Sequence, residues 1–226
     1  MRARLIGGAG MLAGIVALLG ILVGYKAPVI IDIDRSVGAA LLFRGGAFGV
    51  HVLQVLTAPG STLVRVVVLV PLVVIYAIRR HWRMVGFVVV TELVVGPLTL
   101  LLKVVVGRGR PTAEDPLLYA GGLSFPSGHS SGAACLAGIL LVVLWQVVSR
   151  RWRPFVVAGL AAFALVVAWT RIALGVHYLS DTVGGLCLGA AVVLVSMAIF
   201  GVYPGGPGSR HVPGRPDLSA RSAGSD

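Results

Sequence analysis

The chain has 226 residues, 57% of them hydrophobic and only 12% charged, with a formal net charge of +11 and a mean hydropathy of +0.96. A soluble domain carries about 45–50% apolar and about 25% charged residues, so an ordinary water-soluble fold is excluded and a membrane is implied. The excess of positive charge would suit a nucleic acid, but it gathers at the ends of apolar runs, which argues against that partner.

Crossing ~30 Å of hydrocarbon at about 1.5 Å per residue takes a long apolar helix. Six runs are read as spans: residues 5–24, 63–78, 84–106, 130–148, 155–173 and 179–200. The first follows Arg2 and Arg4 as a secretory signal would. It is longer than a signal's apolar region, and no small-x-small cleavage site follows near Tyr25-Lys26-Ala27-Pro28, so it is read as an uncleaved helix.

Between Lys26 and Ser61 the pattern is broken by Arg44-Gly45-Gly46. One or two helices lying in the interface are expected there, with a short seventh span as the alternative. The third span carries Glu92 on one helical stripe with Gly96, Thr99 and Lys103, and Glu92 is expected to hydrogen-bond inside the bundle. Cys135 and Cys187 are read as small buried thiols. The fold class is therefore all-α, a six-transmembrane-helix bundle over residues 1–202 with interfacial helices between spans 1 and 2. Residues 203–226, rich in Gly, Pro, Ser and Arg, are expected to form a disordered cytoplasmic tail.

Orientation follows from the arginines. Arg2 and Arg4, the group Arg79, Arg80 and Arg83, the group Arg150, Arg151 and Arg153, and the tail residues Arg210, Arg215 and Arg221 all fall on one side of a six-span chain. The positive-inside rule makes that side cytoplasmic. Asp32, Asp34, Glu114, Asp115 and Asp181 fall on the other.

Three polar islands share the outer side. Lys103 and Arg110 lie in KVVVGRGRP, Ser127, Gly128 and His129 in PSGH, and Arg171, His177 and Asp181 in TRIALGVHYLSD. Three cations with few carboxylates beside them suit an anion with several oxygens, and guanidinium forks match phosphate. Ser127, Gly128 and the N–H groups that open the fourth span add donors at a helix N-terminus. His177 and Asp181 are spaced i, i+4, so a sixth helix that begins near His177 places them on one face. The carboxylate would then fix the imidazole tautomer and make His177 a nucleophile. His129 has no carboxylate at a helical spacing and suits the general acid.

With those residues in place, the chain resembles the type 2 phosphatidic acid phosphatase superfamily. That family's signature runs KxxxxxxRP, PSGH and SRxxxxxHxxxD, and here Thr170 stands where the family usually has serine. The resemblance covers about residues 60–200. It implies that Lys103, Arg110, Ser127, Gly128 and Arg171 bind phosphate, that His177 attacks, that Asp181 supports it and that His129 protonates the leaving group. It implies no metal and no cofactor.

The expectation is a phosphatase of the plasma (inner) membrane with an extracytoplasmic site. Its substrate would be a lipid phosphate or diphosphate: polyprenyl diphosphate, phosphatidate or phosphatidylglycerol phosphate. A lipid-phosphate transporter or binding protein, or a phosphotransferase using the same residues, is the alternative.

Overall fold

A computed structural model describes residues 1–111 and 121–204. Glu114, Asp115 and all but the first two residues of the expected tail lie outside that range. Eight α-helices follow in order: α1 Arg2–Gly24, α2 Pro28–Leu41, α3 Ala47–Thr57, α4 Thr62–Ile78, α5 Trp82–Val106, α6 Gly128–Val147, α7 Arg153–Ala173 and α8 Leu179–Phe200. No strand occurs among the described residues.

Five helices are long and apolar enough to cross a membrane, and α3 with α4 makes a sixth if they count as one span bent by 47°. With 17 residues, α4 alone is slightly short for ~30 Å of hydrocarbon. The expected region between spans 1 and 2 holds α2 and α3. At 11 residues, α3 is too short to be a seventh span by itself. The large apolar side chains on the outside of the bundle, among them Leu18, Val67, Leu101, Leu165 and Ile199, suit contact with lipid chains.

The bundle is assembled around α8, which packs against α1, α5, α6 and α7. Hydrophobic driving force between helices is weak in lipid, so close backbone approach takes over. A Cβ at Gly189 would collide with the Ser131 carbonyl oxygen on α6 and lie 2.9 Å from the Ala134 Cβ. Cys135 donates from Sγ to the Gly189 carbonyl at 3.4 Å across the same contact, and both cysteines are free thiols.

Several helices begin earlier than the hydropathy implies, α6 and α7 among them. Ser127 caps α6 by accepting the Ser130 N–H at 3.4 Å, and α7 opens with Pro154 in its first turn, behind a short 3-10 turn at Arg150–Trp152. Capping hydroxyls and early prolines are polar or neutral in hydropathy and so drop out of an apolar run. At its C-terminal end, α5 is terminated by Gly107 with φ 65°, a left-handed conformation that glycine adopts without a steric penalty. Phe125 is fully buried and packs with Val16, Val23 and Leu188. It anchors the loop before α6 among α1, α5 and α8.

Candidate active site

The three islands meet where the turn after α5, the start of α6 and the α7–α8 junction converge. Arg110 follows the Gly107 turn. Its Nη1 donates to the Val176 carbonyl at 2.8 Å and lies 3.1 Å from His177 Nε2, while Nε faces the Gly121 and Gly122 carbonyls at 3.1 and 3.2 Å. A guanidinium can only donate, so Nε2 is the acceptor and the ring proton sits on Nδ1.

The Nδ1 side of that ring faces Asp181. Nδ1 lies 3.4 Å from Asp181 Oδ2 and 3.3 Å from Ser124 Oγ. The same carboxylate oxygen accepts the Tyr178 N–H at 2.9 Å and the Ser124 hydroxyl. The other oxygen takes Arg108 Nη1 at 2.8 Å.

The sequence reading needed α8 to begin near His177 for this contact. In the structure α8 begins at Leu179, so His177 is presented from the loop. Asp181 sits in the first helical turn, where its carboxylate folds back onto the unpaired N–H of Tyr178, and that turn brings it to the ring.

His177 is 4% exposed, and burial lowers its pKa to about 4. The hydrogen bond and charge of Asp181 pull upward, while the charges of Arg110 and Arg171 push down. Burial of a cation in a low-dielectric site outweighs its single carboxylate partner. The pKa of Arg110 is lowered as well, again chiefly by burial.

Arg171 ends α7 with its side chain buried. Nη1 donates to Thr57 Oγ1 on α3 at 3.3 Å, and its Nε has no hydrogen-bond partner among the described residues. Its backbone carbonyl accepts from both Val176 and His177 at 3.2 Å, closing the loop that presents the imidazole. A buried guanidinium N–H without a partner costs free energy unless something fills the place.

Lys103 donates to the Leu123 and Ser124 carbonyls at 2.6 and 3.0 Å. Two of its three ammonium protons therefore hold the loop ahead of α6, and one remains for a ligand. Ser127 is fully buried. Its hydroxyl is used by Ser130, whose Oγ donates at 3.1 Å, and its N–H donates to the Asp181 carbonyl at 2.9 Å. The side chain thus builds the α6 N-terminus more than it offers donors. By position, the N–H groups of Gly128 and His129 have no partner inside their own helix.

His129 borders a cavity of about 300 Å³ together with Lys103, Gly128, Ser131, Thr99 and Arg65. Arg171, His177 and Arg110 all lie within coulombic range of it. No group of three or more His, Cys, Asp or Glu side chains among the described residues is placed to hold a metal ion.

Sequence reasoning passed over four polar groups that the structure puts around the site. Arg108 stands two positions before Arg110 in the first island, and Ser124 two positions before Pro126. Either could have been suspected from its neighbours. Asp34, on α2, carries no local signal of a tie to Arg108 and Ser180. Arg65, inside an apolar run, is an intramembrane charge of the kind that marks function or a buried pair.

A model of the PAP2 superfamily matches residues 80–203, a range that contains the eight residues of the three sequence islands but neither Asp34 nor Arg65. Phosphatidylglycerophosphatase B of Bacillus subtilis (strain 168) is 34% identical over 133 residues, covering 54% of this chain and 62% of the relative. Lipid A 4'-phosphatase of Bacteroides thetaiotaomicron is 35% identical over 98 residues, 39% of this chain and 40% of the relative. The chain thus spans less than two thirds of the length of these curated relatives.

In fold, it is similar to the transmembrane PAP2-type phosphatidylglycerolphosphate phosphatase from Bacillus subtilis. The TM-score is 0.71 at 24% identity, over 84% of this chain and 94% of that one. It is also similar to LpxE of Aquifex aeolicus, with a TM-score of 0.56 at 23% identity, over 75% of this chain and 94% of that one.

Proposed function

The chain belongs to the PAP2 superfamily, and on that footing we propose that it is an integral membrane phosphatase that hydrolyses a lipid phosphate or diphosphate through a phosphohistidine intermediate. The observation that carries this reading is the line Arg110–His177–Asp181, with 3.1 Å on one side of the imidazole and 3.4 Å on the other. One nitrogen is held as a free base beside a cation that attracts phosphate, and the other is backed by a carboxylate that stabilises the charge formed on attack.

The substrate's phosphoryl oxygens lie among Arg110, Arg171, the remaining Lys103 proton and the N–H groups of Gly128 and His129, over the cap built by Ser127. Nε2 of His177 forms the N–P bond while the P–O bond to the lipid breaks. His129 gives its proton to the departing oxygen, then takes one from the water that attacks the phosphohistidine, and inorganic phosphate leaves. The buried Arg171 Nε without a partner is suited to a phosphoryl oxygen.

The arginine bias supports an extracytoplasmic site, which suits a substrate of the outer leaflet of the plasma membrane. Polyprenyl diphosphate, phosphatidate and phosphatidylglycerol phosphate are the substrates in view, and the likeness to phosphatidylglycerophosphatase B adds weight to the last. The purified full-length protein, assayed in detergent against all three, should release inorganic phosphate from at least one. Binding of these lipids without phosphate release would overturn the reading in favour of a transporter or binding protein. Phosphate transfer to an acceptor other than water would make it a phosphotransferase.

A further inference from the structure

We propose that Asp34, on α2, is a positioning residue for the His177–Asp181 couple. It acts by dividing the Arg108 guanidinium between two carboxylates. The inference rests on the phosphatase reading above. Asp34 lies outside residues 80–203 that match the family model.

Asp34 is buried to 1% exposure, yet every hydrogen bond its carboxylate makes is to the neighbourhood of the reacting ring. Oδ1 accepts the Ser180 N–H at 2.9 Å, and Oδ2 accepts the Ser180 hydroxyl at 2.6 Å and Arg108 Nη2 at 2.6 Å. The other arm of the same guanidinium, Nη1, donates to Asp181 Oδ1 at 2.8 Å and to Ser180 Oγ at 2.7 Å. The Arg108 plane lies over the Tyr178 ring, 3.9 Å from its centroid. The Arg108 side chain is 8% exposed and Asp181 is fully buried, so these contacts are largely shielded from solvent.

A guanidinium facing one buried carboxylate prefers the bidentate arrangement, two parallel N–H donors on two oxygens. That arrangement would draw Asp181 Oδ2 away from His177. Asp34 occupies Nη2, so Arg108 reaches Asp181 through Nη1 alone, and Oδ2 stays with His177 Nδ1, Ser124 and the Tyr178 N–H. Through Ser180 the same carboxylate also holds the first turn of α8, which carries Asp181. The charges alternate from α2 inward: Asp34, Arg108, Asp181, His177. Arg110 and Arg171 make no hydrogen bond to the first three, and Arg110 meets the chain only at its end, on His177 Nε2, so loss of Asp34 reaches the phosphate-binding cations only through the ring.

The test uses the full-length protein in detergent, with phosphate release measured under steady-state and single-turnover conditions. If the unaltered protein releases phosphate from none of the three lipids, the phosphatase reading itself fails. If it is active, Asp34→Asn should lower kcat by about tenfold to about a hundredfold, the size found for residues that orient metal-ligating histidines through a hydrogen bond. KM should stay within about twofold. The loss should disappear when Asp34→Asn is made in an Asp181→Asn background, because both act through one contact. Arg108→Lys, which keeps the charge but has no fork to divide, should lower kcat in the same way. The proposal is overturned if either single variant keeps the kcat of the unaltered protein, if the defect lies in KM alone, or if the Asp34 and Asp181 losses multiply independently.

Discussion

Arg65 on α4 grips Glu92 on α5 with the Nε–Nη2 edge of its guanidinium: Nε lies 3.0 and 3.1 Å from the two carboxylate oxygens, and Nη2 lies 2.8 Å from Oε1. The opposite arm, Nη1, donates to the Gly60 carbonyl, at the break between α3 and α4. One buried pair thus ties two spans together and holds the corner that packs against the start of α6, where His129 stands.

Removing one partner should therefore leave an uncompensated charge inside the bundle. Arg65→Met or Glu92→Leu alone should destabilise the protein by about 3–5 kcal/mol, whereas the double replacement, which removes both charges, should recover most of that loss. Unfolding in detergent followed by circular dichroism checks this. Losses that simply add in the double variant would show that the two side chains do not act as a pair.

The pH dependence follows from His177. Its pKa is lowered to about 4, first by burial, and in the proposed mechanism the attacking form is the neutral ring. The acid limb of kcat/KM should therefore stay flat as pH falls through about 6.5, the ordinary imidazole value, and drop near 4. The stability contribution has the same sense. The unfolded chain binds a proton on this ring below about 6.5 and the folded chain only below about 4, so the contribution is full above 6.5 and is lost as pH falls towards 4. A limb centred near 6.5 that the substrate phosphate's own ionisation, about 6, does not account for would assign the attacking group elsewhere.

The two imidazoles should fail differently. His177→Ala should abolish turnover of every substrate, because no phosphoenzyme forms. His129→Ala should lose about 10²–10⁴-fold with phosphatidate, whose leaving alkoxide needs a proton, and less with a diphosphate, whose leaving group is already a stable anion. Trapping labelled phosphate on the protein in a single turnover distinguishes them. Label on the His177→Ala protein and none on His129→Ala would exchange the roles.

The orientation can be read directly in cells. A cysteine at Gly121 should react with an impermeant thiol reagent from outside, and a reporter fused after Phe200 should read as cytoplasmic. Labelling at Gly121 only after permeabilisation would reverse the topology, and with it the case for an outer-leaflet substrate.

The spans, the three islands and the pairing of His177 with Asp181 were legible in the chain because each is a local property. Hydrocarbon solvation sums residue by residue along a run, and a spacing of four is one helical turn. Even there a boundary mattered: α8 starts at Leu179, and the contact survives because Asp181 turns back to cap it. Which partner each buried charge takes was decided only by tertiary packing. Lys103 turns to the carbonyls of Leu123 and Ser124, Arg65 finds Glu92, and Arg108 bridges Asp34 and Asp181. Asp34 meets Ser180 across 146 positions of chain. No periodicity links residues so far apart. A charge buried away from water takes whatever partner the packing of α2, α5 and α8 brings within reach, and that packing is a property of the assembled bundle.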